Sequence, residues 1–521
     1  MLVAALALVL AGCSSGTGDE PKDSESSAAE STDASKTEQT EGGPTEEGQT
    51  DGGEPEASGP LGRFYSQDVT WESCPGAFEC GTVKVPVDYS EPDGQTLDLA
   101  VNRRPADGGS AVGALIVNPG GPGASGVDYA QQAVAQFGPE VLRSYDVVGF
   151  DPRGVAASEP VECLDDAGVD ELLAADPDPD TAAEVSEIET VLSSFAAGCA
   201  DDAGALLPHL STTDVARDVD VLRAVMGDES LHYYGASYGT FIGAVYAELF
   251  PDRVGRVVLD GAVDPSLDNE EVNRQQAAGF ETALRAYVDS CVAQSECPLG
   301  KDLQKGVDRV GAFLDELDAE PLQTGSDRKL TQSLGLYGVA LPLYVESYWP
   351  VLDQALTLAF AGDGSALLTL ADAYWSRTES GYSGNTAQVI YAVNCLDDPS
   401  DATVADIKES IPSFEKAAPT FGRTFAWSPL ACAQWPVQPA SPVPDIDATG
   451  AAPILVVGTT RDPATPYEWA ESMADQLESG VLLTRDGDGH TAYGQGNECI
   501  DSTINAYLVK GAVPAPAKRR C

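Results

Sequence analysis

Gly235-Ala236-Ser237-Tyr238-Gly239 constrains this chain more than any other segment. With 52 glycines, a bare GxSxG pattern is expected by chance roughly a few tenths of a time in a chain of this size, so its setting decides. An apolar run, Leu231–Tyr234, precedes it. Phe241, Ile242, Val245, Tyr246 and Leu249 follow at helical spacing and stop before Pro251. A strand that turns sharply into a helix needs glycine where the turn is strained and where neighbouring backbone passes close by. Such a turn holds Ser237 at a helix N-terminus, exposed above a sheet, as in a nucleophile elbow. A glycine-rich packing turn is the plainer alternative, and it does not account for the strand and helix on either side.

The rest of the chain reads as partners for that unit. Thr82–Asp88 and Thr96–Arg103 alternate as hairpin strands. Short continuous apolar runs recur at Gly113–Val117, Tyr145–Phe150, Arg256–Leu259, Ile454–Val457 and Val481–Leu483, the pattern of strands buried on both faces of a parallel sheet. Strands alternating with helices predict an α/β fold with helices on both faces. The alternation stops after Asp264 and resumes near Ala452. Between them Glu270–Val292, Leu303–Leu317, Leu341–Phe360 and Thr386–Val393 read as helices, a cap inserted into the core. The expected division is a signal peptide over 1–13, a spacer over 14–60, the α/β core over 61–265 and 448–521, and the helical cap over 266–447.

The 521 residues carry 83 acidic against 29 basic side chains, a formal charge of −54. A surface of that sign repels phosphate, which excludes nucleic-acid binding. The one long apolar run, Leu2 to Ala11, is too short for a bilayer span of about 20 residues. It reads instead as the apolar part of an export signal. Leu10-Ala11-Gly12-Cys13 resembles the lipobox of bacterial lipoproteins, where the cysteine is diacylated, although no basic stretch separates Met1 from Leu2. From Ser14 to Pro60 the chain is mostly Ser, Thr, Gly, Pro, Asp and Glu, with 13 acids and two lysines. Such a stretch buries too little to offset its ordering entropy and is expected to be a disordered tether.

Setting Cys13 aside for lipid leaves ten of the eleven cysteines. They fall in neighbouring pairs: Cys74 and Cys80, Cys163 and Cys199, Cys291 and Cys297, Cys395 and Cys432, Cys499 and Cys521. Sequence does not decide connectivity, and nearest-neighbour disulfides are the simplest proposal. No CxxC pair and only three histidines argue against a metal site, and no cofactor motif is present.

A serine hydroxyl needs a base to become a nucleophile. His232 lies inside the strand leading to Ser237, and His209 precedes the helix start Ser211-Thr212-Thr213-Asp214. His490, in Asp486-Gly487-Asp488-Gly489-His490, sits just past the last strand, where a base reaches the site from the sheet's C-terminal edge. The base needs an acid to hold its tautomer. Asp462, after Ile454–Val457 and one helix and strand before His490, is favoured over Asp260, whose alternative role is capping the loop into the cap. The order Ser237, Asp462, His490 is that of one hydrolase class. The oxyanion needs N–H donors. Asn118-Pro119-Gly120-Gly121-Pro122-Gly123 follows a strand and lacks the lysine of a phosphate loop, so Gly121 is expected to supply one N–H and Tyr238 the other.

These segments, with Gly149-Phe150-Asp151-Pro152-Arg153-Gly154, Thr240, Asp462-Pro463-Ala464-Thr465-Pro466 and Gly489-His490, resemble the secreted actinobacterial tripeptidyl aminopeptidases, α/β-hydrolases related to proline iminopeptidases. The motifs are spread from Leu61 to Cys521. The resemblance implies an α/β-hydrolase fold and removal of short peptides, typically tripeptides, from a free N-terminus through a Ser-His-Asp triad. Proline iminopeptidases usually carry His where Pro119 stands, which argues against that subgroup. Aminopeptidase action implies a cap carboxylate facing the substrate ammonium, and Glu346, Asp397 and Asp398 are the candidates. A carboxylesterase or an endopeptidase of the same fold is the alternative, and a non-catalytic peptide-binding lipoprotein the remote one. The expected partner is a peptide or small ester, the membrane is reached only through the lipid on Cys13, and a cell-surface monomer is favoured. The acidity suits solubility, a saline habitat or attraction of cationic peptides.

Overall fold

The apolar runs become strands because their short stretches of Val, Ile, Leu, Tyr and Phe are buried on both faces of a pleated sheet. In a computed structural model, which describes residues 59–109 and 111–521, eleven strands form in chain order. They are β1 (Glu72–Ser73), β2 (Glu79–Pro86), β3 (Thr96–Arg104), β4 (Gly113–Asn118), β5 (Tyr145–Phe150), β6 (Leu231–Ala236), β7 (Val254–Asp260), β8 (Arg377–Thr378), β9 (Gly381–Tyr382), β10 (Ile454–Arg461) and β11 (Gly480–Asp488). All but β8 and β9 join one nine-stranded sheet in the order β1-β2-β3-β5-β4-β6-β7-β10-β11. From β5 to β11 neighbours are parallel, while β1, β2 and β3 are antiparallel. The signal sequence, Cys13 and the spacer up to residue 58 lie outside the described residues.

Alternation places Ala114 and Ile116 in one core and Leu115 and Val117 in the other. The first core is closed by the helices Thr212–Val225 and Tyr238–Leu249, the second by Gly126–Ala133 and Glu498–Lys510. Covering both faces is what a mostly parallel sheet requires, because its runs have no polar side to show to water.

The helices from Asn269 to Tyr374 enclose a separate apolar cluster around Phe280, Leu284, Leu314, Leu334 and Leu356, while Val389, Ile411, Phe414 and Leu430 of the helices that follow join the first core under the sheet. Strands β10 and β11 follow this stretch, and β10 pairs directly with β7, which precedes it. The single helix expected over Leu341–Phe360 is two: Gln332–Leu343 and Trp349–Ala359, with a short turn at Glu346–Tyr348 between them. The apolar periodicity hid the break. Pro342 closes the first helix and Pro350, which has no N–H to donate, opens the second. Among the described residues five disulfides form, and they are the five nearest-neighbour pairs.

Arg153, expected only as part of a motif, is fully buried beside the core helix Thr212–Val225. Its guanidinium donates to both oxygens of Asp218 at 2.7 and 2.8 Å and to the carbonyls of Pro86, Val87 and His209. The Tyr89 hydroxyl also donates to Asp218. Asp218→Ala strands a buried cation, and thermal or urea unfolding is expected to register a loss of about 3–5 kcal/mol. A loss below about 1 kcal/mol would show that water reaches the pair.

Candidate active site

Ser237 sits between β6 and its helix with φ of 57°, in the left-handed region. Its N–H donates to the Asp260 carbonyl at 2.8 Å. A Cβ on Gly235 would lie 2.3 Å from the Gly239 carbonyl, and one on Gly239 would lie 2.8 Å from the Asn118 carbonyl. Both glycines of the motif are therefore demanded by backbone contact, and the side chain of Ser237 stands half-buried at the mouth of the turn.

The Asn118–Gly123 loop runs directly past this turn. A Cβ on Gly120 would come within 2.6 Å of the Ala236 carbonyl and 2.8 Å of the Tyr238 nitrogen. Gly120 donates to its own turn, to Asn118 Oδ1 at 2.9 Å. Gly121, Ser237 and Tyr238 line one cavity of about 570 Å³. Tyr238 is the first residue of its helix, where the N–H has no carbonyl one turn back.

His490 follows β11, which runs on to Asp488, and is buried. Its Nδ1 lies 2.8 Å from Asp462 Oδ1 and 3.0 Å from Oδ2. Asp462 also accepts from the N–H groups of Ala464, Thr465 and Thr491, so its carboxylate is fixed by a turn of its own chain. The imidazole Cε1 edge lies against Gly261, the residue after the Asp260 that receives the Ser237 N–H. The His490–Asp462 pair and the elbow thus lie on either side of Asp260 and Gly261, beyond the C-terminal ends of β6, β7, β10 and β11.

The other histidines stand apart. His232 Nδ1 accepts from the Arg256 N–H and its ring packs on Tyr145, while burial and then Arg256 push its pKa down to about 4. His209 closes a 3₁₀ turn beside Asp214, with its Nδ1 3.5 Å from Oδ2. Asp260 does not cap the loop into the insertion. Its carboxylate accepts from the N–H groups of Ala492 and Tyr493 and from the Tyr234 hydroxyl, so it ties the histidine loop to the elbow. Composition and spacing gave no sign of that role.

A family profile described as TAP-like protein matches residues 418–521. Serine protease Hip1 of Mycobacterium tuberculosis is 40% identical over 480 residues, 87% of this chain and 91% of that protein. Carboxylesterase B of the same species is 39% identical over 451 residues, 85% of this chain and 86% of that protein. Tripeptidyl aminopeptidase of Streptomyces lividans is 33% identical over 462 residues, 86% of this chain and 85% of that protein. The chain belongs to the actinobacterial tripeptidyl aminopeptidase-like α/β-hydrolases. It is a hydrolase.

Within this tripeptidyl aminopeptidase-like fold the three cap carboxylates separate. Asp397 and Asp398 line the same cavity as Ser237. Glu346 does not. It lies in the turn after the broken helix and lines another groove with Arg485, Asp488, Glu498 and Lys518. Asp397 accepts from the Thr212 N–H at 2.7 Å and the Thr212 hydroxyl at 2.6 Å, and that hydroxyl also meets the Tyr238 hydroxyl. Burial pushes the Asp397 carboxyl up to about 7, against the pull of the Thr212 hydrogen bonds, with Asp398 and Asp214 adding to the rise. Burial and then Asp268 push Asp398 up to about 6. No lysine, arginine or histidine lines the cavity beside them. Among the described residues no group of three or more His, Cys, Asp or Glu side chains is arranged to hold a metal ion, and no helix is long and apolar enough to cross a membrane.

Proposed function

We propose that the protein is a serine exopeptidase that releases short peptides, tripeptides above all, from free N-termini. The observation that carries this reading is a cavity holding Ser237 at one side and Asp397 and Asp398, without any cation, at another. His490 takes the Ser237 proton as the hydroxyl attacks the scissile carbonyl, and Asp462 holds the imidazole and stabilises its charged form. The N–H groups of Gly121 and Tyr238 receive the oxyanion. His490 then protonates the leaving amine, and water hydrolyses the acyl-enzyme by the same route. The substrate ammonium pairs with Asp397 and Asp398. Asp397 is no farther from the elbow than one tyrosine side chain and two hydrogen bonds, which keeps it within reach of the N-terminus of a short peptide. The names of the relatives, a serine protease and a tripeptidyl aminopeptidase, support peptidase chemistry, and carboxylesterase B keeps the ester reading as the outcome to exclude.

The test is hydrolysis of one tripeptide anilide, free and N-acetylated, beside a simple ester. Cleavage restricted to the free form supports the exopeptidase. Equal cleavage of both anilides means an endopeptidase, and ester hydrolysis alone means an esterase. Asp397→Asn removes one partner of the charge pair and is expected to lower kcat/KM for the free anilide at least about 30-fold while sparing the ester.

The same pair predicts a pH dependence with a definite sign. Both carboxyls are raised, so they are ionised above about pH 7 and become neutral as the pH falls through 7 and 6. The ratio of kcat/KM for free peptide over ester should drop about tenfold or more between pH 7.5 and 5, because the peptide amine stays charged while its partners lose charge. Taking the ratio cancels protonation of the base. A flat ratio would remove these aspartates from substrate binding.

For location we propose export, with lipid attached at Cys13 and the acidic segment as spacer. Five disulfides support an oxidising compartment. Metabolic labelling with a palmitate analogue, lost in Cys13→Ala, is the check.

A further inference from the structure

The residues that hold His490 come from two directions. From the α/β core, Asp462 grips Nδ1, Thr465 Oγ1 lies 3.4 Å from the same atom, and Asp462 and Asp260 take the N–H groups of residues 491 to 493. From the helical insertion comes Tyr344, the residue that caps the C-terminus of helix Gln332–Leu343. Its carbonyl accepts the His490 N–H at 2.8 Å. Its ring stands edge-on to the imidazole, with centroids 5.3 Å apart and planes at 87°. Gly489 has φ of 101°, and a Cβ there would lie 2.8 Å from the Tyr344 carbonyl, so loop and helix end fit only because residue 489 is glycine.

Tyr344 is itself wedged. Its ring packs against Phe280 and Tyr374, and its hydroxyl lies 3.2 Å from that of Tyr374. Tyr344 and Tyr374 also form part of the wall of the cavity that holds Ser237. The Tyr344 N–H bonds back to the Leu341 carbonyl at 3.2 Å and the Val345 N–H to the Pro342 carbonyl at 3.4 Å, so a last turn holds the Tyr344 peptide toward His490 while the wedged ring anchors that turn from its side-chain end.

We propose that Tyr344 is a positioning residue for His490, through which the helical insertion, and substrate pressed against its wall, sets the orientation of the base. This rests on the reading of His490 as the base of Ser237. The insertion is then more than a cover that selects substrates. A base oriented from both sides transfers its proton along one line, and a displacement of about 1 Å is enough to cost two orders of magnitude in rate. With the ring gone, the imidazole keeps its core carboxylate and loses the edge contact and the anchor of the turn that presents the carbonyl on its other side.

The test separates positioning from simple packing with a probe too small to need the substrate wall. Wild type, Tyr344→Leu, Tyr344→Phe and Ser237→Ala are compared for the rate of inactivation by a small alkyl fluorophosphonate, for kcat and KM on the free anilide, and for Tm. Tyr344→Leu retains apolar bulk and is expected to slow inactivation and lower kcat by the same factor, about tenfold or more. The Nδ1 proton resonance of His490 should shift or broaden in the same variant. Tyr344→Phe keeps ring and carbonyl and should react near the wild-type rate. Inactivation of Tyr344→Leu at the wild-type rate, with only KM changed, would overturn the proposal. If Tyr344→Leu proves too unstable to assay, Tyr374→Ala, which unwedges the ring from behind, must slow inactivation, and the wild-type rate there overturns the proposal equally. Failure of wild type to react at all, or reaction of Ser237→Ala at the same rate, would instead overturn the reading of the base and nucleophile.

Discussion

Replacing Ser237 by alanine is expected to lower kcat on a tripeptide anilide by about a million-fold and to leave the protein folded. The change removes one oxygen and keeps the Cβ, so the positive-φ turn is neither relieved nor crowded. The elbow is held by its own backbone, through the Ser237 N–H to Asp260 and the close contacts at Gly235 and Gly239, none of which involves the hydroxyl. Residual hydrolysis should stay about a thousand-fold above that in water, because the proposed oxyanion donors, the N–H groups of Gly121 and Tyr238, are untouched. The measurements are kcat and Tm on the same preparation. Retained turnover with an unchanged Tm would place the nucleophile elsewhere.

Asp462→Asn is expected to cost about 10⁴ in kcat for a different reason. The carboxylate of Asp462 only accepts: from Ala464 and Thr465 on one oxygen, from Thr491 on the other, and from His490 Nδ1 between them. An asparagine has one accepting oxygen. If that oxygen keeps the turn at residues 464 and 465, the NH2 group points at Nδ1 and at the Thr491 N–H. Nδ1 then becomes the acceptor, the ring proton moves to Nε2, and the base cannot take a proton from Ser237. Substrate affinity should change little, so KM stays within a few-fold while kcat collapses. Near-normal kcat in Asp462→Asn, with loss in Asp260→Asn, would transfer the acid role to Asp260.

Expectation and structure differ most where long-range contacts decide. Short apolar runs located β4 to β7, β10 and β11 and alternation located β2 and β3, although some ends moved: Thr82–Asp88 is Glu79–Pro86, and Val481–Leu483 extends to Gly480–Asp488. The two-residue strands β1, β8 and β9 carry too few residues for any period to show. The helix over Leu341–Phe360 failed because apolar spacing continues through Pro342 and Pro350, and the break between them is held by contacts, including the Tyr344 carbonyl taken by the His490 N–H. Glu346 looked like a cap-helix acid for the same reason, and it faces another groove.

The sequence by itself determined the local unit: a serine between two glycines, at a strand-to-helix turn where only glycine tolerates the approach of neighbouring backbone. It also offered an order of candidate serine, acid and histidine and the simplest pairing of ten cysteines, and the structure supplied the connectivity of the five disulfides. Which carboxylates reach the cavity, that Asp260 braces the histidine loop, that Thr212 holds Asp397, and that Tyr344 sits against His490 were decided only by the tertiary structure. Those relations join residues between about 150 and 230 positions apart in several cases. Strand order and the docking of the insertion bring them together, and neither is written in the residues nearby.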